Sequence, residues 1–209
     1  ASGRAEQALE ILDGATEDAA GFEDGQWHDS RIAVLEALNR QAEAQEMRWQ
    51  WFSRTLSIPH LRDYLKRLEA FEDVEAEDRA LQVAEQHPIS LLGLHFLVEW
   101  PALARAARHV LAHQDEWEGD AYTIHSAAAE RLSAAHPLAA TLLLRPMVFF
   151  ALWMGRANRY RYAAEHLRTC EQLAGRIDDW QGHPDHSGYL ESLHNIYGAK
   201  WGFWKLMER

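Results

Sequence analysis

The amino-acid sequence predicts an all-α fold, an α-solenoid in which helical hairpins stack side by side. Three observations carry that prediction. Apolar residues recur at helical spacing nearly from end to end of the 209 residues, and no segment alternates as a strand does. Two segments, GRAEQALEIL from Gly3 and NRQAEAQEMRW from Asn39, each read as a turn residue, an Arg and an Ala-rich amphipathic helix, and they begin 36 residues apart. Three His-Pro pairs, His87-Pro88, His136-Pro137 and His183-Pro184, stand 49 and 47 residues apart, each ahead of a helical pattern.

The elements follow in chain order. Residues 4 to 12 place Ala5, Ala8, Leu9 and Leu12 on one helical face. DGATEDAAGFEDGQ, residues 13 to 26, is a loop rich in Gly and acids. Asp29 or Ser30 is expected to cap a helix carrying Ile32, Leu35 and Leu38. The next helix carries Ala44, Met47, Trp51 and Leu56. In SIPHLRDYLKRL, Ser57 is the expected N-cap and Pro59 falls in the first turn. The acids Glu69, Glu72, Asp73, Glu75, Glu77 and Asp78 read as a helix start, where carboxylates meet the positive end of the helix dipole, in preference to a cation site.

In each His-Pro pair the proline is expected at the first helical position, with the residue before it pushed into extended backbone. The 36-residue offset matches the second helices of successive tetratricopeptide-like hairpins, while offsets near 48 are closer to HEAT-type repeats. The expected organisation is one superhelix over residues 1–209, with tetratricopeptide-like hairpins in 1–70 and larger, irregular hairpins in 71–209. The opening ASGRAEQALEIL enters a helical pattern at once, without an initiator Met or an apolar leader, and reads as part of a longer protein.

PLAATLLLRPMVFFALWM, residues 137 to 154, is apolar on all sides. Arg145 and Pro146 at its middle argue against a membrane span, because a charge there costs on the order of 3 kcal/mol. A central helix buried by its neighbours is the better expectation. Pro146 should kink it, since the Leu142 carbonyl loses its donor. Arg145 then needs a carboxylate or free helix carbonyls, unless its stem snorkels to the surface.

Composition limits the function. The 32 acids against 21 bases, a formal net charge of -11, argue against general affinity for nucleic acid or an anionic membrane, though not against a local basic patch. Nine Trp suggest many wide helix contacts or an exposed aromatic surface. The single cysteine, Cys170, excludes an internal disulfide framework and a multi-cysteine zinc site, and fits a reducing, cytoplasmic setting.

The stretch GRANRYRYAAEHL tests for a phosphate-binding strip. With Tyr160 at the centre of a buried stripe, Ala163, Ala164, Leu167, Cys170 and Ala174 cluster with it, which makes Cys170 a buried, inert thiol. Arg161 and Arg168 share a flank with Glu165, which can pair with both, and Arg159 falls on the other flank near His166. The arginines do not line up as a nucleic-acid track. Arg156 and Arg159 at the helix start remain candidate anion contacts. His109 and His113 share a helix face without a third ligand, so no metal site is expected. HPDH, 183 to 186, reads as a helix start with Asp185 favouring the dipole and His186 packing inward, and His186 is retained as a candidate contact residue. Trp201, Trp204 and Met207 share the face by which the last helix should dock, or else they form a partner-binding patch. No nucleophile elbow, phosphate loop or catalytic triad is recognisable.

The segments NRQAEAQEMRWQWFSRTLSIPHLRDYLKRL, FLVEWPALARAARHVL, HPLAATLLLRPMVFFAL, RYRYAAEHL and HPDHSGYLESLHNIYGAKWGFWKLM follow one another in the chain. This order resembles an uncharacterised, mainly proteobacterial family of unknown function with a tetratricopeptide-like helical fold, from about residue 27 to the end. The resemblance implies an α-superhelix and no activity. Some similar proteins carry a SWIM-type zinc finger upstream, a pattern missing here, and Pro146 departs from the helix former usual at that place.

Taken together, these readings predict a non-catalytic protein-interaction scaffold that needs no cofactor or metal and recognises a protein or peptide partner. Arg145, Arg156, Arg159 and His186 are the candidate contact residues. The alternative is association with nucleic acid or another anion through Arg156, Arg159 and Lys200, and an enzyme or metal-dependent sensor is less favoured.

Overall fold

Apolar residues spaced for helices, broken by turn formers into runs of 7 to 17 residues, should give helices joined by short links. The computed structural model describes residues 2–14 and 25–208, and among them it contains twelve α-helices and no strand. Most of the predicted loop 13–26 lies outside the described residues. The chain divides into two units, Ala1–Ala84 and Glu85–Arg209.

The first unit holds α1 (Ser2–Gly14), α2 (Gln26–Ala37), α3 (Gln41–Thr55), α4 (Ile58–Leu65) and α5 (Glu72–Glu85). Each of the first four packs on its sequence neighbour, around Leu9, Ile32, Leu35 and Ala44. The cap expected at Asp29 or Ser30 is corrected. α2 starts earlier because Gly25, at φ 86°, turns the chain beneath the Trp51 ring. Asp29 stands in the first turn and faces His60 Nε2 at 2.9 Å.

Ser57 and Pro59 open α4 as expected, but the Ser57 hydroxyl meets His60 Nδ1 at 2.7 Å instead of a backbone N–H. The acidic run opens α5 with Glu72, Asp73 and Glu75 in its first turn. Arg79 of α5 lies 4.0 Å from the Trp49 ring and donates to the Tyr64 hydroxyl at 2.9 Å. Arg48, in the middle of α3, is only 1% exposed. Its guanidinium donates to Glu36 at 2.5 Å and to Asp63 at 3.2 Å, so a buried cation is matched by two carboxylates.

The second unit holds α6 (Ser90–Glu99), α7 (Leu103–Ala112), α8 (Tyr122–Leu132), α9 (Pro137–Trp153), α10 (Tyr160–Ala174), α11 (His186–Tyr197) and α12 (Trp201–Met207), with single 3₁₀ turns at Gln114–Glu116 and Ala157–Arg159. α9 is the common neighbour of α7, α8, α10 and α11. That placement answers its all-round apolar sequence, with twelve of its 17 residues buried. The helix continues through Pro146. Among the described residues no helix is long and apolar enough to cross a membrane. α10 buries Tyr160, Ala163, Ala164, Leu167 and Cys170 of the expected stripe, while Ala174 is only partly buried and Leu173 is buried instead. Burial pushes the Cys170 thiol up to about 12, which keeps it inert.

Two expectations need correction here. Of the three His-Pro prolines only Pro137 opens a helix. Pro88 and Pro184 each precede the first helical residue by two positions. At α11 the cap is Asp185, whose carboxylate accepts the Gly188 N–H at 2.8 Å. The last helix docks through Phe203, which is fully buried and edge-on to Tyr160, while Trp204 is partly buried and donates to the Tyr197 carbonyl. Trp201 stays 77% exposed. A seven-residue helix with three aromatics allows more than one apolar face, and packing selects the one centred on Phe203.

Candidate functional site

The second unit contains an open cleft of about 620 Å³ whose lining is mostly apolar. One wall is the segment between α7 and α8, with Asp115, Trp117, Glu118, Gly119 and Asp120. The other is the middle and end of α9, with Leu142, Arg145, Pro146, Phe149, Phe150 and Trp153. His183 and Tyr189, on either side of the α11 cap, complete the lining.

Gly119 sets the width between the walls. A Cβ there would fall 2.1 Å from the Pro146 carbonyl oxygen and 2.4 Å from Phe150 Cβ, so only a glycine backbone fits against α9. Trp117 anchors the same segment. Its buried indole donates to the Val110 carbonyl at 2.9 Å and its ring meets His125 edge-on. The cleft rim exposes apolar surface, with Phe149 at 43% and Trp153 at 62%.

Arg145 is 6% exposed and lines this cleft. It donates from Nη1 to the Pro184 carbonyl at 2.8 Å and from Nη2 to the Asp185 carbonyl at 3.1 Å. Its guanidinium lies over the Tyr189 ring at 4.4 Å and the Trp180 ring at 4.8 Å. The partner of Arg145 is thus neither a carboxylate nor free helix carbonyls but a pair of carbonyls from the loop leading into α11. Among the described residues no carboxylate forms an ion pair with it, and Nε is buried without a hydrogen-bond partner. Desolvation lowers the Arg145 pKa from its ordinary value, yet guanidinium stays protonated in proteins. Tyr189 donates its hydroxyl to the Arg145 carbonyl at 3.0 Å, and burial pushes that phenol upward.

The other candidates lie elsewhere. Arg156 follows α9, is exposed, and sits 5.3 Å from the Phe150 ring. Arg159 lies 4.5 Å from the Tyr122 ring. Phe150 and Tyr122 are themselves in edge contact at 6.2 Å, so these two arginines flank one aromatic pair, whereas Arg145 packs on a different one. Lys200 precedes α12 with Nζ 3.4 Å from where a Cβ on Gly155 would stand.

His186 opens α11, half-buried, with Nδ1 unpartnered and its pKa lowered by burial. Arg161 pairs with Glu165 at 3.1 Å, but Arg168 donates to the Leu206 carbonyl near the end of α12 and not to Glu165. His109 and His113 lie with ring centroids 4.4 Å apart. His109 Nε2 meets the Ser90 carbonyl at 2.8 Å and His113 Nδ1 meets Glu116 at 3.0 Å. Among the described residues no group of three or more His, Cys, Asp or Glu is placed to hold a metal ion.

Sequence reasoning missed the wall formed by residues 113–121. A glycine two residues after a tryptophan in a short interhelical link was the available signal.

A family model described as a family of unknown function (DUF6880) matches residues 1–206. No curated protein and no solved structure matches the chain.

Proposed function

Since the chain belongs to the family of unknown function DUF6880, whose model takes in α1 as well as the region from residue 27 onward, we propose that it acts as a non-catalytic protein-interaction scaffold. In this reading its hairpins stack as a tetratricopeptide- or HEAT-like solenoid, irregular after residue 70, and the α9 cleft is where a partner segment docks. The observation that carries the reading is the rim of that cleft. α9 is buried along most of its length, yet it turns Phe149, Trp153 and the adjoining Met154 to solvent beside an open apolar groove. Large exposed apolar side chains gathered at a concavity mark interaction sites. Aromatic anchors of this kind contribute most of the binding energy when a partner covers them.

Capture with the full chain as bait tests the proposal. A partner should be captured reproducibly by the unaltered chain and lost with Trp153→Ala and Phe149→Ala. Each truncation should weaken binding by about 2 kcal/mol or more, with an unchanged Tm checking that the fold is kept. Failure to capture any reproducible partner, or capture indifferent to both substitutions, refutes it.

A second reading, anion or nucleic-acid association, draws support from Arg156 and Arg159 flanking the Phe150–Tyr122 pair, an arrangement suited to stacking. It requires salt-sensitive binding that Arg156→Ala and Arg159→Ala weaken.

A further inference from the structure

We propose that Arg145 is the receptor for a carboxylate, carried by the segment that docks in the α9 cleft beside a bulky apolar side chain. The proposal rests on the docking reading and names the chemistry that the partner must bring.

The chain itself supplies the comparison. Among the described residues two arginines are buried. Arg48 is 1% exposed and donates to two carboxylates, Glu36 and Asp63. Arg145 is 6% exposed and donates only to two neutral carbonyls. Removing a guanidinium from water costs several kcal/mol unless an opposing charge is near. The adjacent Asp185 carboxylate favours the cation from a distance but is turned to the Gly188 N–H as the helix cap and makes no hydrogen bond to Arg145.

Arg145 also has donors to spare. Guanidinium carries five N–H groups, and two are engaged. The Nε–H is buried and unpartnered. A cation left in this state at the edge of an open groove has the features of an anion receptor awaiting its ligand.

The surroundings select among anions. Asp115, Glu118 and Asp120 line the facing wall. Three carboxylates across the groove penalise a phosphate dianion more than a single carboxylate. The rings of Phe149, Phe150 and Trp153 take an apolar body beside the charge. A peptide segment with a carboxylate next to a large apolar side chain meets both conditions.

The test uses N-acetyl-L-phenylalanine as probe, with its carboxamide and phenyl phosphate as controls, added to the isotope-labelled full chain. The readout is the Arg145 Nε–Hε resonance together with the cleft resonances of Phe149 and Trp153, so no Arg145 variant has to fold. The carboxylate should shift the Arg145 signal saturably, and the carboxamide should bind about tenfold more weakly, as loss of one charge-assisted hydrogen bond implies.

Equal binding of carboxylate and carboxamide, tighter binding of phenyl phosphate, or no movement at Arg145 overturns the proposal. Movement at Phe149 and Trp153 without Arg145 removes the receptor and leaves the docking groove standing. Movement of Arg145 in a chain that captures no protein does the reverse, keeping the carboxylate receptor and removing the docking reading.

Discussion

Acidification should destabilise the second unit, and a large part of the effect should come from the buried side chain of His125. It lies on α8 with no exposed surface, and neither ring nitrogen has a hydrogen-bond partner. Its ring meets Trp117 edge-on at 5.8 Å. Burial holds its pKa down to about 4 against an ordinary 6.5, with Asp120 opposing the shift.

Above pH 6.5 the imidazole is neutral whether the chain is folded or unfolded, and its contribution is fully present. Below 6.5 the unfolded chain binds a proton that the folded chain refuses. Stability therefore falls with pH until about 4, where the folded form protonates as well. At about 1.4 kcal/mol per pH unit the whole interval is worth about 3 kcal/mol, a large share of a typical domain's stability.

Urea midpoints measured between pH 7 and pH 4 for the unaltered chain and His125→Phe would isolate this term. His109, His166 and His186 are also lowered by burial, and their contributions cancel in the difference. At pH 7 the phenylalanine variant should be as stable as the parent or slightly more so, because an apolar ring replaces two unpartnered nitrogens. Toward pH 4 it should gain on the parent by about 3 kcal/mol. Parallel pH curves for the two proteins would refute the reasoning. So would a variant that is much weaker at pH 7.

Two further outcomes follow from the packing. Gly119→Ala sets a methyl group against the Pro146 carbonyl, and a helix backbone cannot yield to it, so the 113–121 segment must lift off α9. The expected cost is about 2 to 3 kcal/mol, seen as a Tm lower by several degrees, and an unchanged Tm would contradict the close contact. In the first unit, burial pushes the Asp63 carboxyl up, but Arg67 and Arg48 outweigh it and hold it below the usual carboxylate range. The double change Glu36→Gln with Asp63→Asn strands Arg48 and should cost about 3 kcal/mol, whereas Arg48→Met, which leaves two half-exposed acids that water can reach, should cost about 1. Chemical denaturation that ranked the two variants the other way would show Arg48 to be less buried than it is here.

The sequence was informative where one helix face decided the outcome. The Tyr160–Cys170 stripe, the acidic start of α5, the Ser57–Pro59 boundary and the burial of most of α9 could each be read from local periodicity or cap chemistry. It was silent where a side chain's fate depends on residues far along the chain. Nothing near Arg48 reveals that Asp63 folds over it, and nothing near Arg145 announces that loop carbonyls 39 and 40 residues away will bind its head. Arg145 was still recognisable as anomalous, because an arginine inside an apolar helix must find some partner. Gly119 reads as an ordinary loop glycine until α9 is brought against it.

The hub position of α9 also constrains how the second unit assembles. Its neighbours α7 and α8 come before it in the chain, and α10 and α11 come after. As the polypeptide leaves the ribosome, the earlier pair can shelter one side of residues 137–153 while the opposite side waits for α10 to emerge. Over that interval a greasy seventeen-residue rod is half bare. Nascent chains stalled before residue 174 should therefore recruit chaperones more strongly than chains stalled beyond it.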